Sequence, residues 1–144
     1  MATTTERSYV RTALHPVHAV LLAAILPCFL GALLSDLAYG SSYELQWANF
    51  ASWLIVGGLV FGGLALLWAI VGLLRADVRR DRRRGLYVLA LLGAWIVGFV
   101  NALVHAKDGW ARMPDATILS LIALLLALLA IWLGFPSLRA GDMK

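Results

Sequence analysis

The chain has 144 residues, three of them histidine, and a formal net charge of +4. It is 62% hydrophobic and only 14% charged, with a mean hydropathy of +0.84. A soluble domain carries about 45–50% apolar and about 25% charged residues. A body this small could not hide so much apolar surface from water, and this excludes the ordinary soluble classes. One cysteine, Cys28, excludes an intrachain disulfide and a thiolate metal cluster within one chain.

The first 13 residues read as a polar N-terminal segment, followed by the first apolar run, Val17–Leu34. Its entry is LHPVHAV, which sets His15 and His18 three residues apart around Pro16, a residue favoured at the first position of a helix. Two readings fit this pair. The imidazoles sit among headgroups and cap the span, or they share a ligand such as haem b or a quinone. Pro27 lies deep in the run and is expected to kink the helix by freeing a backbone carbonyl. The basic start and apolar run superficially suggest a signal peptide, but Leu33-Leu34-Ser35-Asp36 is not a small-x-small cleavage site. Leu26-Pro27 before Cys28 does not fit a lipoprotein site.

Three further spans follow at Ala48–Leu74, Leu86–Val104 and Ala116–Phe135, and residues 137–144 form a polar tail. Three runs are near the roughly 20 helical residues that cross a hydrocarbon core, and Ala48–Leu74 is long enough to tilt or to extend into the interface. Open β-structure is excluded at that depth because unpaired backbone groups would find no water. The expected fold is therefore all-α, an integral membrane antiparallel four-helix bundle across residues 14–136. Ten basic residues, six of them in RADVRRDRRRG, fall on one face of the membrane, and only Lys107 and Arg112 fall on the other. The positive-inside rule then makes both termini cytoplasmic, in a multi-pass protein of the bacterial inner (plasma) membrane. The arginine cluster reads as a topology determinant near anionic headgroups, so nucleic acid is not an expected partner.

Small residues recur at spacings of three and four within the spans, as in Ala24, Cys28, Gly31 and Ser35 of the first or Ser120, Ala123, Ala127 and Ala130 of the last. Such stripes let helices approach closely where lipid removes the hydrophobic drive. Gly58 and Gly62 form a GxxxG pair that suits either an intrachain seam or a homodimer.

No aspartate, glutamate, lysine, arginine or histidine falls in the middle of a span, which disfavours proton or small-solute transport. Polar residues gather at the span ends instead. On the outer face Asp36 follows the first span, while Asn101, His105, Asp108 and Trp110 follow the third. Asn101 and His105, four apart, share a helix face that should point into the bundle. Asp36, or Asp108 one turn beyond His105, is placed to orient the imidazole. The cluster reads either as a hydrogen-bonded clasp between spans or as a ligand or proton-transfer site. His105 lies about 27 Å from the entry of span one, the length of 18 helical residues. A haem bridging His105 to His15 or His18 within one subunit is therefore excluded. No nucleophile–base pair or metal triad is visible, and an enzyme is not expected.

Taken together, His15-Pro16-x-His18, Pro27, Ser35-Asp36-x-x-Tyr39 and Asn101-x-x-x-His105-x-x-Asp108-x-Trp110 resemble a bacterial membrane-protein family called domain of unknown function 2231. The resemblance runs from about Leu14 to about Gly141. Ala19 stands where such proteins often carry a second proline. The resemblance implies a four-helix membrane domain whose relatives occur beside redox modules. It suggests an anchor or accessory subunit that meets the lipid bilayer and a membrane-protein partner.

Overall fold

The computed structural model describes residues 15–75, 82–107 and 109–135. Its four helices, each long and apolar enough to cross a membrane, are α1 (Pro16–Ser42), α2 (Leu45–Arg75), α3 (Arg82–His105) and α4 (Asp115–Gly134). A short 3-10 turn, Gly109–Arg112, precedes α4. There is no strand among the described residues. The first three helices contain their expected apolar runs and extend past them, and α4 is displaced from its run by one residue. Of the arginine-rich segment, residues 76–81 lie outside the described residues, and Arg82, Arg83 and Arg84 form the first turn of α3.

The largest extension is at the end of α1. The polar run from Ser35 to Ser42 stays helical because its hydroxyls bond back onto the helix. Ser35 Oγ donates to Gly31 O at 2.7 Å, and Ser41 and Ser42 both donate to Ala38 O. Tyr43 ends the helix in the left-handed conformation (φ 56°), its N–H closing on Tyr39 O at 2.8 Å. Only Tyr43 and Glu44 separate α1 from α2, so the two helices pack as antiparallel neighbours. Around the bundle α1 packs on α2 and α4, and α3 also packs on both, which leaves α1 and α3 diagonally opposed.

The core divides labour between helices. α1 supplies large side chains to the centre, with Leu22, Ile25 and Phe29 almost fully buried. The facing helices supply small ones: Ala51, Gly58 and Ala65 from α2, Ala90, Ala94 and Gly98 from α3, and Ala123, Ala127 and Ala130 from α4. The Phe29 ring fills the space left by two glycines. A methyl group on Gly58 would come within 2.8 Å of that ring, and one on Gly98 within 3.0 Å. The GxxxG pair is therefore used inside the chain, Gly58 against Phe29 and Gly62 beside Trp95 and Ile25. The small residues of α1 lie off the centre. Ala24, Cys28 and Gly31 are only half-buried, and Gly31 takes the side chain of Leu54 on α2. At Gly63 the missing side chain lets the Trp95 indole reach the α2 backbone, where Nε1 donates to Leu59 O at 3.1 Å. α1 passes through Pro27 as a single helix, with the proline on its exposed side.

Large apolar side chains cover the outer surface, Trp53, Leu74 and Trp132 among the most exposed. In water so extensive an apolar surface would aggregate. Against acyl chains it is the matching surface, and the bilayer is the medium this bundle contacts.

Candidate functional site

Polar side chains meet inside the bundle at two levels, near the start and near the end of α1. At the start, His15 precedes the helix and caps it. Its Nδ1 accepts from the Val17 N–H at 3.3 Å, with Pro16 at the first helical position. The exposed His15 ring leans on Trp68 of α2, with centroids 5.0 Å apart. One turn later His18 is buried. Its Nε2 lies 2.8 Å from the hydroxyl of Tyr87 on α3, and its ring stacks beside Trp68 at 6.1 Å. His18 Nδ1 is buried with no hydrogen-bond partner. The two histidines thus share a helix end and an aromatic neighbour but make different contacts. Trp68 is also a wall of an apolar groove of about 560 Å³ between α1 and α2, lined by Val17, Leu21, Leu64, Leu67 and Val71 as well.

At the other level Asp36, His105, Asn101 and Ser120 form a closed circuit. His105 Nε2 lies 2.8 Å from Asp36 Oδ1, and its Nδ1 lies 2.9 Å from the carbonyl oxygen of Asn101. Ser120 Oγ donates to Asp36 Oδ2 at 2.5 Å and receives the Asn101 Nδ2–H at 2.8 Å. The circuit begins and ends on Asn101, through its side chain on one side and its backbone on the other. It ties α3 to α4, α4 to α1, and α1 back to α3. All four residues are buried.

Elementary valence fixes the protons of this circuit. A backbone carbonyl only accepts, so His105 Nδ1 carries a hydrogen. A second proton must lie between Nε2 and the Asp36 carboxyl, whichever atom holds it. The Asp36–His105 unit is therefore neutral overall, as an ion pair or as two neutral groups. This avoids the cost of burying a lone charge away from water. Asn101 Oδ1 is the one side-chain atom of the circuit that is buried without a partner. Arg112, from the 3-10 turn, is buried near the same end and holds its guanidinium over the Tyr39 ring, 5.4 Å from the centroid.

The structure joins three of the residues singled out from the sequence, Asp36, Asn101 and His105. It also corrects two details. Asp36, expected just after the first span, lies within α1, because the helix continues to Ser42. α3 ends at His105 and does not continue for the further turn that the expectation for Asp108 assumed. Asp108 lies outside the described residues, and Trp110 falls in the 3-10 turn, with its side chain also outside them. Ser120 had shown only as a member of a small-residue stripe, although a hydroxyl in so apolar a helix signals an interhelical bond. Tyr87 and Trp68 carried no separate signal, since aromatic residues near span ends are the rule. Among the described residues no group of three or more His, Cys, Asp and Glu is arranged to hold a metal ion.

Both interhelical histidine bonds join α1 to α3, and both link residues 69 apart in the chain. Since α1 and α3 run parallel across the diagonal, the eighteen residues from His18 to Asp36 match the eighteen from Tyr87 to His105. Eighteen residues make about five turns and about 27 Å, so each helix offers both partners on one face.

The family model of predicted membrane proteins called DUF2231 matches residues 14–137, from just before His15 to just past α4. The chain belongs to the DUF2231 family. Neither the curated proteins nor the solved structures contain a match to it. In this DUF2231 member the family match takes in both polar levels and the whole bundle between them.

Proposed function

We propose that this DUF2231 protein is a non-enzymatic anchor or accessory subunit of the bacterial inner membrane, with both termini cytoplasmic. The observation that carries this reading is the closed circuit of Asp36, His105, Ser120 and Asn101, whose hydrogen bonds are made within the protein, three of them between helices and one within α3. Side chains spent in this way hold a scaffold together. The partner is a membrane protein, and a redox assembly is the first class to test. Purification in mild detergent should recover that partner, and deletion should lower membrane redox activity. A stable isolated monomer, with redox activity unchanged by deletion, would remove the support. The charge asymmetry supports the orientation. A fluorescent-protein fusion at the C-terminus should fluoresce, and a periplasm-dependent phosphatase fusion there should be inactive.

A cofactor-binding role is the second reading, favoured by the open Nδ1 of His18. A bis-histidine haem needs two axial imidazoles, and His105 is about 27 Å away along the bundle. A bis-histidine haem would require a second subunit, and a haem-replete preparation without a Soret band rules haem out. A proton or small-solute transporter would need flux in liposomes that depends on His105.

A further inference from the structure

The groove between α1 and α2 takes no part in the cap at His15 or in the His18–Tyr87 bond, and it opens to the lipid side of the bundle. Val17, Leu64, Leu67 and Trp68 line it with exposed side chains. We propose that it seats one acyl chain of an anionic phospholipid from the leaflet on the arginine side. The headgroup of that lipid lies level with His15 and the first turn of α3. The site depends neither on the anchoring role nor on a cofactor.

The lining selects hydrocarbon. Val17 and Leu21 of α1 line the groove with Leu64, Leu67, Trp68 and Val71 of α2. None of these side chains carries a charge or a hydroxyl, so a polar ring seated there would leave its oxygens unpaired. Depth points the same way. Along α2 the groove runs from Gly72 to Leu64, about 12 Å at 1.5 Å per residue. One leaflet holds roughly 15 Å of hydrocarbon, half of a core of roughly 30 Å. A chain entering beside Gly72 can therefore lie in the groove over most of its leaflet.

The charge stands at the entry. Arg75 ends α2 one turn beyond Val71. Arg84 follows His15 by 69 residues, the register of both histidine bonds, so the first turn of α3 is level with His15. Arg82 and Arg84 are exposed there. Each basic residue near a membrane surface favours an anionic headgroup by about fivefold. His15 adds a donor that does not depend on its charge. Its Nδ1 accepts from the Val17 N–H, so the ring hydrogen is on Nε2. This exposed ring lies 5.0 Å from the Trp68 wall, and a phosphate or ester oxygen can accept from it.

The test uses the full chain in phosphatidylcholine nanodiscs doped with a phosphatidylglycerol or a phosphatidylcholine that carries a diazirine on one acyl chain. Label is mapped by mass spectrometry. The phosphatidylglycerol probe should label residues 17–21 and 64–72 in a saturable way, and the phosphatidylcholine probe should label the lipid-facing surface evenly. Leu67→Trp fills the groove from its lipid side and should abolish the enrichment. Arg82→Gln with Arg84→Gln, both on exposed side chains, should lower it by at least tenfold, as should high salt. His15→Phe keeps a ring against Trp68 but removes the donor, and should lower it by about tenfold. Equal labelling by the two probes, or enrichment that survives the arginine substitutions, would overturn the proposal. So would crosslinks between two chains at these residues, the sign that a second copy covers the groove.

Discussion

The two polar levels of the bundle use the same residue type in the same register and reach opposite outcomes. Near the end of α1, His105 has both ring nitrogens engaged, within a circuit of four bonds across three helices. Near its start, His18 makes one bond to one helix and keeps Nδ1 open. The carboxylate makes the difference. Asp36 gives His105 an acceptor that can also share its proton, and its second oxygen recruits Ser120 and through it Asn101. Tyr87 offers a single hydroxyl to His18, and nothing extends the chain. The larger network ties three helices together and the smaller one two, although each keeps one buried polar atom without a partner, Asn101 Oδ1 in the first and His18 Nδ1 in the second.

The most severe way to break this contrast is Asp36→Leu, which leaves His105 and Ser120 buried without their acceptor. It should cost about 3–5 kcal/mol, the range for breaking a buried pair, read as a loss of resistance to unfolding in mixed detergent micelles. Asp36→Leu with His105→Leu should recover much of that loss, since apolar replacement of both partners is often neutral. Ser120→Ala comes next, at about 1–2 kcal/mol, because it strands the Asn101 amide and removes one bond to Asp36. Tyr87→Phe should cost about 0.6–1.5 kcal/mol, the usual scale of one interhelical bond in a membrane. His15→Ala removes only the helix cap and should be smallest, at about 0.5–1 kcal/mol. If Tyr87→Phe proved costlier than Ser120→Ala, the His18 level would be the main clasp and the contrast would be reversed.

Much of this was legible in the sequence for physical reasons that also mark its limit. Spans are legible because a bilayer demands length and apolarity together, and all four apolar runs became helices. The face shared by Asn101 and His105 follows from helical spacing alone. Ser120 was harder to place because its partner Asp36 is 84 residues away, and periodicity within one helix says nothing about which neighbour faces it. The same holds for Tyr87 and His18. The first apolar run stops at Leu34, whereas α1 continues through Ser35, Ser41 and Ser42. Their hydroxyls stay on the helix, bonded to its own carbonyls. The centre of α1 was also hidden. Its small residues suggested the close-packing face, yet Phe29 took the centre because glycines on two other helices made room for it.

The matched spacing of the two histidine bonds also bears on how the chain can change in length. One residue inserted in α1 between His18 and Asp36 would turn everything beyond it by about 100° and push it along by about 1.5 Å. Either bond could then be kept, but not both. An equal insertion in α3 between Tyr87 and His105 would bring the two scales back into step. The diagonal pair behaves like a vernier, so a length change between the two bonds in one helix needs an equal change in the other to keep both bonds.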